Sequence, residues 1–290
     1  MKENRVIWIF LIVTQFAFSQ IRGVVKDSIS GEPIPYVNIW VDNETIGTTS
    51  ETNGSFSLDI KEEKLLVFSA LGYEIKKATS KTDLILLKPK VFELNEVVVT
   101  FPKKTKELEI GSYKNRYYLP ENQTIPWIIA KKFNLNKNNL DFNFIKEINF
   151  FTNSEVQNGV FRVRIFKVNS DGMPGEDLIS DEIIVETKKG KNKTTVSVSK
   201  YNLQIPEEGI IIGFECLIID KNKYNQNARI NGSKKTIYLV NYSPHIQYCN
   251  NTDEISYVFS SATWIKQKRV KYNNSEKSSF APAITLTLTN

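Results

Sequence analysis

Short runs in which apolar and polar residues alternate, separated by turn-forming residues, cover most of the chain. Before residue 90, seven such runs fit short β-strands: residues 21–26, 36–41, 48–50, 55–60, 65–70, 74–78 and 84–88. Turn chemistry marks the breaks, because Ser30-Gly31-Glu32-Pro33 combines flexible and φ-fixing residues and Asn53-Gly54 is a strong hairpin signal. Strands at this spacing predict an antiparallel, seven-stranded Greek-key sandwich.

The rest of the chain shows the same strand periodicity. Phe161, Val163 and Ile165 alternate with Arg162 and Arg164, so this run has one apolar face. Further strands are predicted at residues 144–151, 183–187, 194–199, 210–219, 237–241, 255–260 and 284–289. This number of strands predicts a larger, jelly-roll-like β-sandwich, and the whole protein is expected to be all-β. Residues 125–133 are the one notable stretch that is compatible with a helix.

The first nineteen residues have the layout of a cleavable secretory signal peptide. Lys2 and Arg5 precede an apolar run at residues 6–13, and small residues at Ala17 and Ser19 place the cleavage before Gln20. The apolar run is shorter than the roughly 20 residues of a membrane-spanning helix. We therefore expect an exported protein of the periplasm, outer membrane or cell surface, associated with a membrane only peripherally.

Charge divides the exported chain into two parts. Residues 20–100 carry nine Lys/Arg and twelve Asp/Glu, net −3, whereas residues 101–290 carry twenty-seven and nineteen, net +8. With the strand pattern, this predicts a sandwich at residues 20–89, a linker strand at 90–106 and a second sandwich at 107–290. The basic excess either attracts a polyanion such as a phosphorylated glycolipid or serves solubility alone. A nucleic-acid partner is not expected.

Several segments of the first part resemble a known domain family. They are Gly23-Val24-Val25-Lys26-Asp27, residues 30–39, the stretch from Thr49 through Asn53-Gly54 to Leu58, and residues 66–74. In this order, over residues 20–89, they resemble the carboxypeptidase-regulatory-like domain. The resemblance implies a prealbumin-like sandwich of the kind found in envelope proteins and at the front of TonB-dependent receptors. It implies no peptidase activity, since such a zinc site needs more than one histidine and the chain has His245 alone.

The resemblance extends weakly beyond this domain. Residues 94–100, Leu-Asn-Glu-Val-Val-Val-Thr, resemble the segment that leads into the plug of such receptors. In those receptors a nearby extended stretch adds a strand to a sheet edge of TonB. Because no plug-like or barrel-like sequence follows here, a strand that links the two domains is the preferred interpretation.

Three polar features have both a structural and a chemical interpretation. Residues 169–177 concentrate oxygen ligands among glycines, which fits either a strand-connecting turn or a calcium loop, although the EF-hand spacing is missing. Residues 188–193 predict a lysine-rich hairpin tip that either discourages edge pairing or binds a polyanion. Glu215 interrupts an apolar strand and is costly to bury unpaired, so pairing with Arg162 or Arg164 is expected in preference to acid catalysis.

Candidate ligand contacts come from aromatic residues in segments that fit loops. Trp127, Tyr242, Tyr248 and Trp264 offer flat faces for sugar rings, or they pack in the core or at strand ends. Cys216 and Cys249 form one disulfide or remain two buried thiols, because sequence does not supply the Cα separation that a bridge needs.

The sequence favours a non-catalytic exported binding or scaffolding module, with an envelope glycan, glycolipid or protein as its partner. No catalytic residue, metal ligand or cofactor is assigned, since a Gly-x-Ser-x-Gly elbow, a phosphate loop and a histidine cluster are all missing from the sequence. One alternative is a hydrolase with a carboxylate-based site in the second domain. Another is a structural subunit that associates by strand addition through residues 97–101.

Overall fold

The computed structural model describes residues 20–90, 106–117, 124–137, 139–229, 236–251, 254–267 and 279–290. The predicted signal peptide and nearly all of the predicted linker strand, including residues 94–101, lie outside these ranges. No helix within them is long and apolar enough to cross a membrane.

Residues 20–90 form the predicted seven-stranded sandwich. Its strands are β1 (Gln20–Asp27), β2 (Asn38–Val41), β3 (Gly47–Thr49), β4 (Ser55–Asp59), β5 (Leu65–Ser69), β6 (Lys76–Thr79) and β7 (Leu84–Leu87). Sheet I has the order β4-β1-β7 and sheet II has the order β3-β2-β5-β6. The prediction of an antiparallel sandwich is wrong for one pair, because β1 and β7 are parallel. Alternate residues such as Ile39, Phe68 and Ile85 are fully buried between the two sheets, which explains the apolar period read from the sequence.

The second sandwich begins at residue 107. Its larger strands are β8 (Glu107–Ile110), β10 (Trp127–Phe133), β11 (Phe144–Ser154), β12 (Gly159–Val168), β13 (Pro174–Asp177), β14 (Ile183–Thr187), β15 (Gly190–Ser197), β16 (Ile210–Cys216), β21 (Ser256–Ser260), β22 (Thr263–Lys266) and β24 (Ile284–Thr289). Smaller elements are β9 (Arg116–Tyr117), β17 (Lys223–Arg229), β18 (Thr236–Tyr242), β19 (His245–Ile246), β20 (Tyr248–Asn251) and β23 (Ser279–Pro282). Two short 3-10 turns occur at Ser199–Tyr201 and Asp220–Asn222.

Two sheets enclose the main core of this domain. Sheet III has the order β13-β12-β16-β10-β21-β22, with β14 also paired to β12, and sheet IV has the order β15-β11-β24-β8, with β19 on β11. Phe150 of sheet IV packs on Phe161 and Phe214 of sheet III, with ring centroids 5.1 and 6.3 Å apart. The second domain is thus the double-sheet, jelly-roll-like sandwich that the strand count predicted, and the all-β fold class is confirmed.

Residues 125–133, the stretch that the sequence left compatible with a helix, are not helical. Residues Trp127–Phe133 form β10, which lies between β16 and β21 in the middle of sheet III. Both faces of β10 are buried, since Ile128 contacts one cluster and Ile129 contacts the core between the sheets. A central strand that is buried on both faces loses the alternating signature and resembles a short apolar helix in sequence.

The two sandwiches are stacked through their sheets. Asn38 and Trp40 of β2 point away from the N-terminal core and toward the outer face of sheet III. Trp40 is 1% exposed, contacts Phe259 edge-on at 5.7 Å and donates from Nε1 to the carbonyl of Pro126 at 3.1 Å. The side of sheet II that would otherwise face solvent is therefore covered by the second domain.

Candidate functional site

A buried ionic network lies at the centre of the contact between sheets II and III. Glu215 of β16 is 0% exposed and stands opposite Arg162 in the strand register. Its Oε1 accepts from Arg162 Nη1 at 3.2 Å and its Oε2 accepts from Arg164 Nη1 at 3.0 Å. Both pairings proposed from the sequence are confirmed. The reason is geometric, since residues i and i+2 of a strand share a face, so Arg162 lies directly opposite Glu215 and Arg164 lies diagonal to it.

The N-terminal domain completes this network. The amide of Asn38 donates from Nδ2 to Glu215 Oε1, and Arg162 Nη2 donates to the carbonyl of Tyr36 at 3.0 Å. A second carboxylate, Glu182, accepts from the same Arg162 nitrogen at 2.6 Å. Groups from both domains therefore satisfy one buried charge cluster, and separating the domains would expose or unpair it.

The network fixes the ionisation of Glu215. Burial alone raises the pKa of this carboxyl group, but the two guanidinium groups and the amide of Asn38 outweigh it and hold the pKa below its ordinary value. A permanently charged carboxylate that is fully engaged by donors is suited to holding structure. Proton transfer to a substrate would require it to be accessible and to titrate.

A cleft opens beside this network, between the two domains. Its volume is about 210 Å³. The N-terminal wall is formed by residues in the strands of sheet II and in the segments that follow β5 and β7, namely Asn38, Ser69, Ala70, Gly72, Tyr73, Ile75 and Lys90. The opposite wall is the outer face of sheet III with the β12–β13 turn, namely Ile128, Arg164, Phe166, Gly175, Glu176, Asp177, Phe259 and Trp264. The cleft exists only because the domains are docked.

An aromatic cluster forms one side of the cleft. Trp264 of β22 lies 5.2 Å from Phe166, edge-on, and 5.0 Å from Phe259 between ring centroids. Trp264 is only partly buried, and Ile75 across the cleft is 60% exposed. This side therefore offers a partly open apolar surface of the kind that stacks on the C–H face of a sugar or on an apolar side chain.

The charged groups that line the cleft are already paired with each other. Arg164 and Asp177 form a two-bond pair, Nε–Oδ1 at 2.8 Å and Nη2–Oδ2 at 2.6 Å. At the rim, Lys90 Nζ lies 2.8 Å from Glu176 Oε1 and joins the two domains. With two cations and two carboxylates matched, the cleft presents polar hydrogen-bonding groups with little net charge.

Residues 169–173 form the turn between β12 and β13, and residues 174–177 form β13 itself, which fits the strand-connecting interpretation of this segment. The carbonyl of Asn169 accepts from Gly172 N at 2.8 Å, and Asp171 Oδ1 caps Met173 N at 2.9 Å. Its other carboxylates, Glu176 and Asp177, are held by Lys90 and Arg164. In the part of the chain that the structure describes, no group of three His, Cys, Asp or Glu residues is arranged to hold a metal.

The four candidate aromatics do not converge on one place. Only Trp264 lines the cleft. Tyr248 is 3% exposed and belongs to the core, while Trp127 and Tyr242 are half-buried against that core. Three of the four aromatic residues, Trp127, Tyr242 and Tyr248, therefore pack in the core or against it.

The two cysteines lie in different clusters. Cys216 is in the core between sheets III and IV, whereas Cys249 packs with Phe151 and Ala283. Both side chains are buried, and no disulfide joins them. The sequence had left a disulfide and two buried thiols open, and the structure has two buried thiols.

The lysine-rich segment at residues 188–193 is not a hairpin tip, contrary to the prediction, because β14 pairs with β12 in sheet III and β15 pairs with β11 in sheet IV. The segment is the connection that crosses from one sheet to the other together with the start of β15, and Gly190 takes a left-handed φ of +88° there. Lys191 and Lys193 point outward from β15, an edge strand of sheet IV. This placement suits protection of an edge from pairing.

Several residues of the cleft and of the domain interface around it were not identified from the sequence. Asn38 and Trp40 look like ordinary outward positions of an alternating strand, and Phe166 and Phe259 look like strand interior. One available signal was a tryptophan on the polar face of a short strand, because a large apolar ring at such a position needs a cover.

The N-terminal part of the chain is similar to known proteins. Residues 21–99 match the family model of the CarboxypepD_reg-like domain. The chain is also 34% identical over 93 residues to the TonB-dependent receptor SusC of Bacteroides thetaiotaomicron, a match that covers 31% of this chain and 9% of the receptor. The chain thus spans a small part of that relative's length. The resemblance to the carboxypeptidase-regulatory-like family over the first domain is therefore confirmed.

Proposed function

We propose that this protein is a non-catalytic binding module of the bacterial cell envelope, and that its interdomain cleft binds a neutral sugar ring of an envelope glycan. The observation that carries the proposal is the partly open aromatic wall of Trp264 beside polar groups whose charges are already matched. Similarity of the first domain to part of a TonB-dependent receptor supports an envelope location.

The charge pairing favours a neutral ligand. An anionic ligand would compete with Asp177 for Arg164, and a cationic one would compete with Lys90 for Glu176. Breaking either pair leaves a partly buried partner uncompensated, which costs more than a neutral hydroxyl group that hydrogen-bonds alongside it. The apolar wall would stack on a ring while Asn38 and Tyr73 lie across from it.

The same pairing supports a binding role over hydrolysis at this site. A carboxylate pair for glycoside cleavage needs one group free to protonate a leaving oxygen and another free to act as base or nucleophile. Here Asp177 is held by two guanidinium bonds and Glu215 is inaccessible beneath it. We therefore expect bound glycans to be recovered intact.

The test is binding of neutral and uronic-acid oligosaccharides to the chain from Gln20 onward, measured by glycan array and calorimetry. Trp264→Ala should weaken binding of the neutral ligand at least about tenfold, because the stacking surface is lost. Tyr238→Ala is the matched control, since Tyr238 is 77% exposed on the β17–β18 hairpin and does not line the cleft.

Two results would overturn the proposal. One is unchanged affinity of the Trp264→Ala protein for every glycan that the parent protein binds. The other is binding of uronic-acid oligosaccharides alone that disappears at 0.5 M salt (about a 4 Å Debye length), which would move the interaction to the basic surface. Release of shorter sugars from a bound glycan would restore the hydrolase alternative.

A further inference from the structure

A second cavity lies at the far end of the second sandwich. Its volume is about 490 Å³, within the range of small-molecule sites. It is lined at the end of β10 by Lys132 and Phe133, and elsewhere by Gly111, Glu254 and three asparagines. The interdomain cleft touches β10 at Ile128 instead. At about 3.3 Å per residue, the two places are about 17 Å apart along the strand.

The cavity contains a carboxylate whose position is fixed by a buried lysine. Glu254 Oε1 lies 2.8 Å from Lys131 Nζ, and the Lys131 side chain is 0% exposed while that of Glu254 is 16% exposed. The same oxygen accepts from the backbone N–H of Ser112 at 2.8 Å. A buried ammonium is expensive to maintain unless its partner stays in place. Glu254 is therefore held in a fixed position at the cavity wall.

The remaining lining adds amides and an apolar face. Asn134, Asn136 and Asn139 line the same cavity as Glu254, and a tight turn in which Asn139 N donates to the carbonyl of Asn136 at 2.9 Å brings two of them together. Each amide offers both donors and acceptors. Phe133, Ile110 and Ile255 supply apolar surface. Acceptors, amides and one aromatic ring in a concave site match the alternating hydroxyl and C–H groups of a saccharide.

The charged groups of the cavity add to this lining. Glu254 is offset by Lys131, its Oε1 is held by Lys131 and Ser112, and its Oε2 is buried. The other charged residue of the lining is Lys132, whose ammonium group donates hydrogen bonds, as the asparagine amides do. A hydroxyl-rich ligand can exchange hydrogen bonds with these groups without meeting an exposed carboxylate.

We propose that this cavity is a second saccharide-binding site of the protein, for hydroxyl-rich ligands, and that it is separate from the interdomain cleft. It does not depend on the cleft, since no lining residue is shared. The two sites face different parts of the molecule, so one chain can engage two segments of a glycan or two glycans. Linked sites of this kind raise avidity without a new contact.

The experiment uses the Trp264→Ala protein, in which the cleft is disabled, as the parent. Calorimetric titration with mannohexaose, cellohexaose and xylohexaose should show one remaining site for at least one of these probes. Asn136→Ala with Asn139→Ala should weaken that binding about tenfold, because two hydrogen-bonding groups are lost. Asn227→Ala, at an exposed position of β17, is the matched control and should bind as the parent does.

Glu254→Gln provides a second variant of similar shape, and thermal melts of every variant show which ones are folded. The proposal fails if no neutral hexasaccharide binds the folded Trp264→Ala protein, or if the double asparagine variant binds as tightly as its parent. Loss of all binding on Trp264→Ala alone would leave the cleft proposal intact and remove this one. Binding that persists in the Trp264→Ala protein but is weakened by the double asparagine change would support this proposal and count against the cleft proposal.

Discussion

At the scale of single residues, the buried histidine gives the protein a defined response to acid. His245 is 1% exposed, its Nε2 lies 3.0 Å from the hydroxyl of Tyr224, and burial lowers its pKa from 6.5 to about 4. Below pH 6.5 the unfolded chain binds a proton that the folded protein does not. Stability contributed by the neutral ring is therefore complete above pH 6.5 and is lost as the pH falls toward 4.

We expect this histidine to account for up to about 3 kcal/mol of the acid destabilisation, since one pKa unit corresponds to about 1.4 kcal/mol. His245→Gln keeps a polar side chain near Tyr224 but does not titrate. Urea unfolding at several pH values from 7.5 to 4.5 should show that the difference in unfolding free energy between parent and variant changes across this window. The contributions of the carboxylates cancel in this difference, because both proteins contain them. Parallel curves for the two proteins would contradict the assignment.

The interdomain charge cluster makes a second prediction at this scale. Glu215→Gln leaves Arg162 buried with Glu182 as its remaining carboxylate partner, so we expect a loss of about 3–5 kcal/mol in unfolding free energy. Glu186→Gln is the control, because Glu186 pairs with Lys221 at 2.9 Å on the surface with both side chains about half exposed. That change should cost less than about 1 kcal/mol. Similar losses of unfolding free energy in the two variants, measured by urea unfolding, would show that the buried network contributes no more to stability than a surface ion pair.

At the scale of elements, two glycines at turns separate backbone strain from crowding. Gly31 and Gly54 both have φ of +74°, yet a Cβ at Gly31 would meet nothing within 4 Å, whereas one at Gly54 would lie 2.5 Å from the carbonyl oxygen of Val25. Gly31→Ala should cost about 1–2 kcal/mol for the left-handed backbone alone. Gly54→Ala should cost about 1–3 kcal/mol more, because the β3–β4 turn must shift away from β1. Equal losses in thermal or urea unfolding would mean that the turn relaxes freely.

Element prediction worked for the first domain and for several strands of the second. All seven N-terminal strands have their predicted positions to within a few residues, and β14 has its predicted bounds. Among the strands that it missed are β10, which the sequence left compatible with a helix, and β17, whose Lys-Tyr-Asn-Gln-Asn-Ala-Arg sequence carries no apolar period. In both cases neighbouring strands decide the structure, and that information lies outside the local sequence.

The same limit applies to the candidate site. The pairing of Glu215 with Arg162 and Arg164 was predictable, because a carboxylate in an apolar strand demands a cation. The cleft was not, since its walls come from Tyr73 and Trp264, which are almost two hundred residues apart in sequence and meet only after the domains dock. The period of a strand indicates which face is polar, but it does not indicate what covers that face.

At the scale of the whole molecule, the contacts between sheets II and III predict that the two sandwiches unfold together. Beside the charge cluster, Thr49 and Ile218 exchange two hydrogen bonds across the interface, at 3.0 and 3.3 Å, and Glu51 accepts from Asp220 N at 2.8 Å. These groups form their hydrogen bonds with each other only when the two domains are docked. Separating the domains would break these bonds and expose the indole of Trp40 to water, so unfolding of one domain alone is unfavourable.

We therefore expect one calorimetric transition for the chain from Gln20 onward, with equal calorimetric and van't Hoff enthalpies. Asn38→Ala with Trp40→Ala removes an interface amide and a ring that is 1% exposed, and it should resolve two transitions. Ile39→Val is the matched control, because Ile39 lies between them on β2 but faces the N-terminal core. It should lower the single transition by an amount equivalent to about 1 kcal/mol without splitting it. Two transitions in the parent protein would mean that the domains are independent, and the interdomain cleft would then lack the fixed geometry that a specific ligand requires.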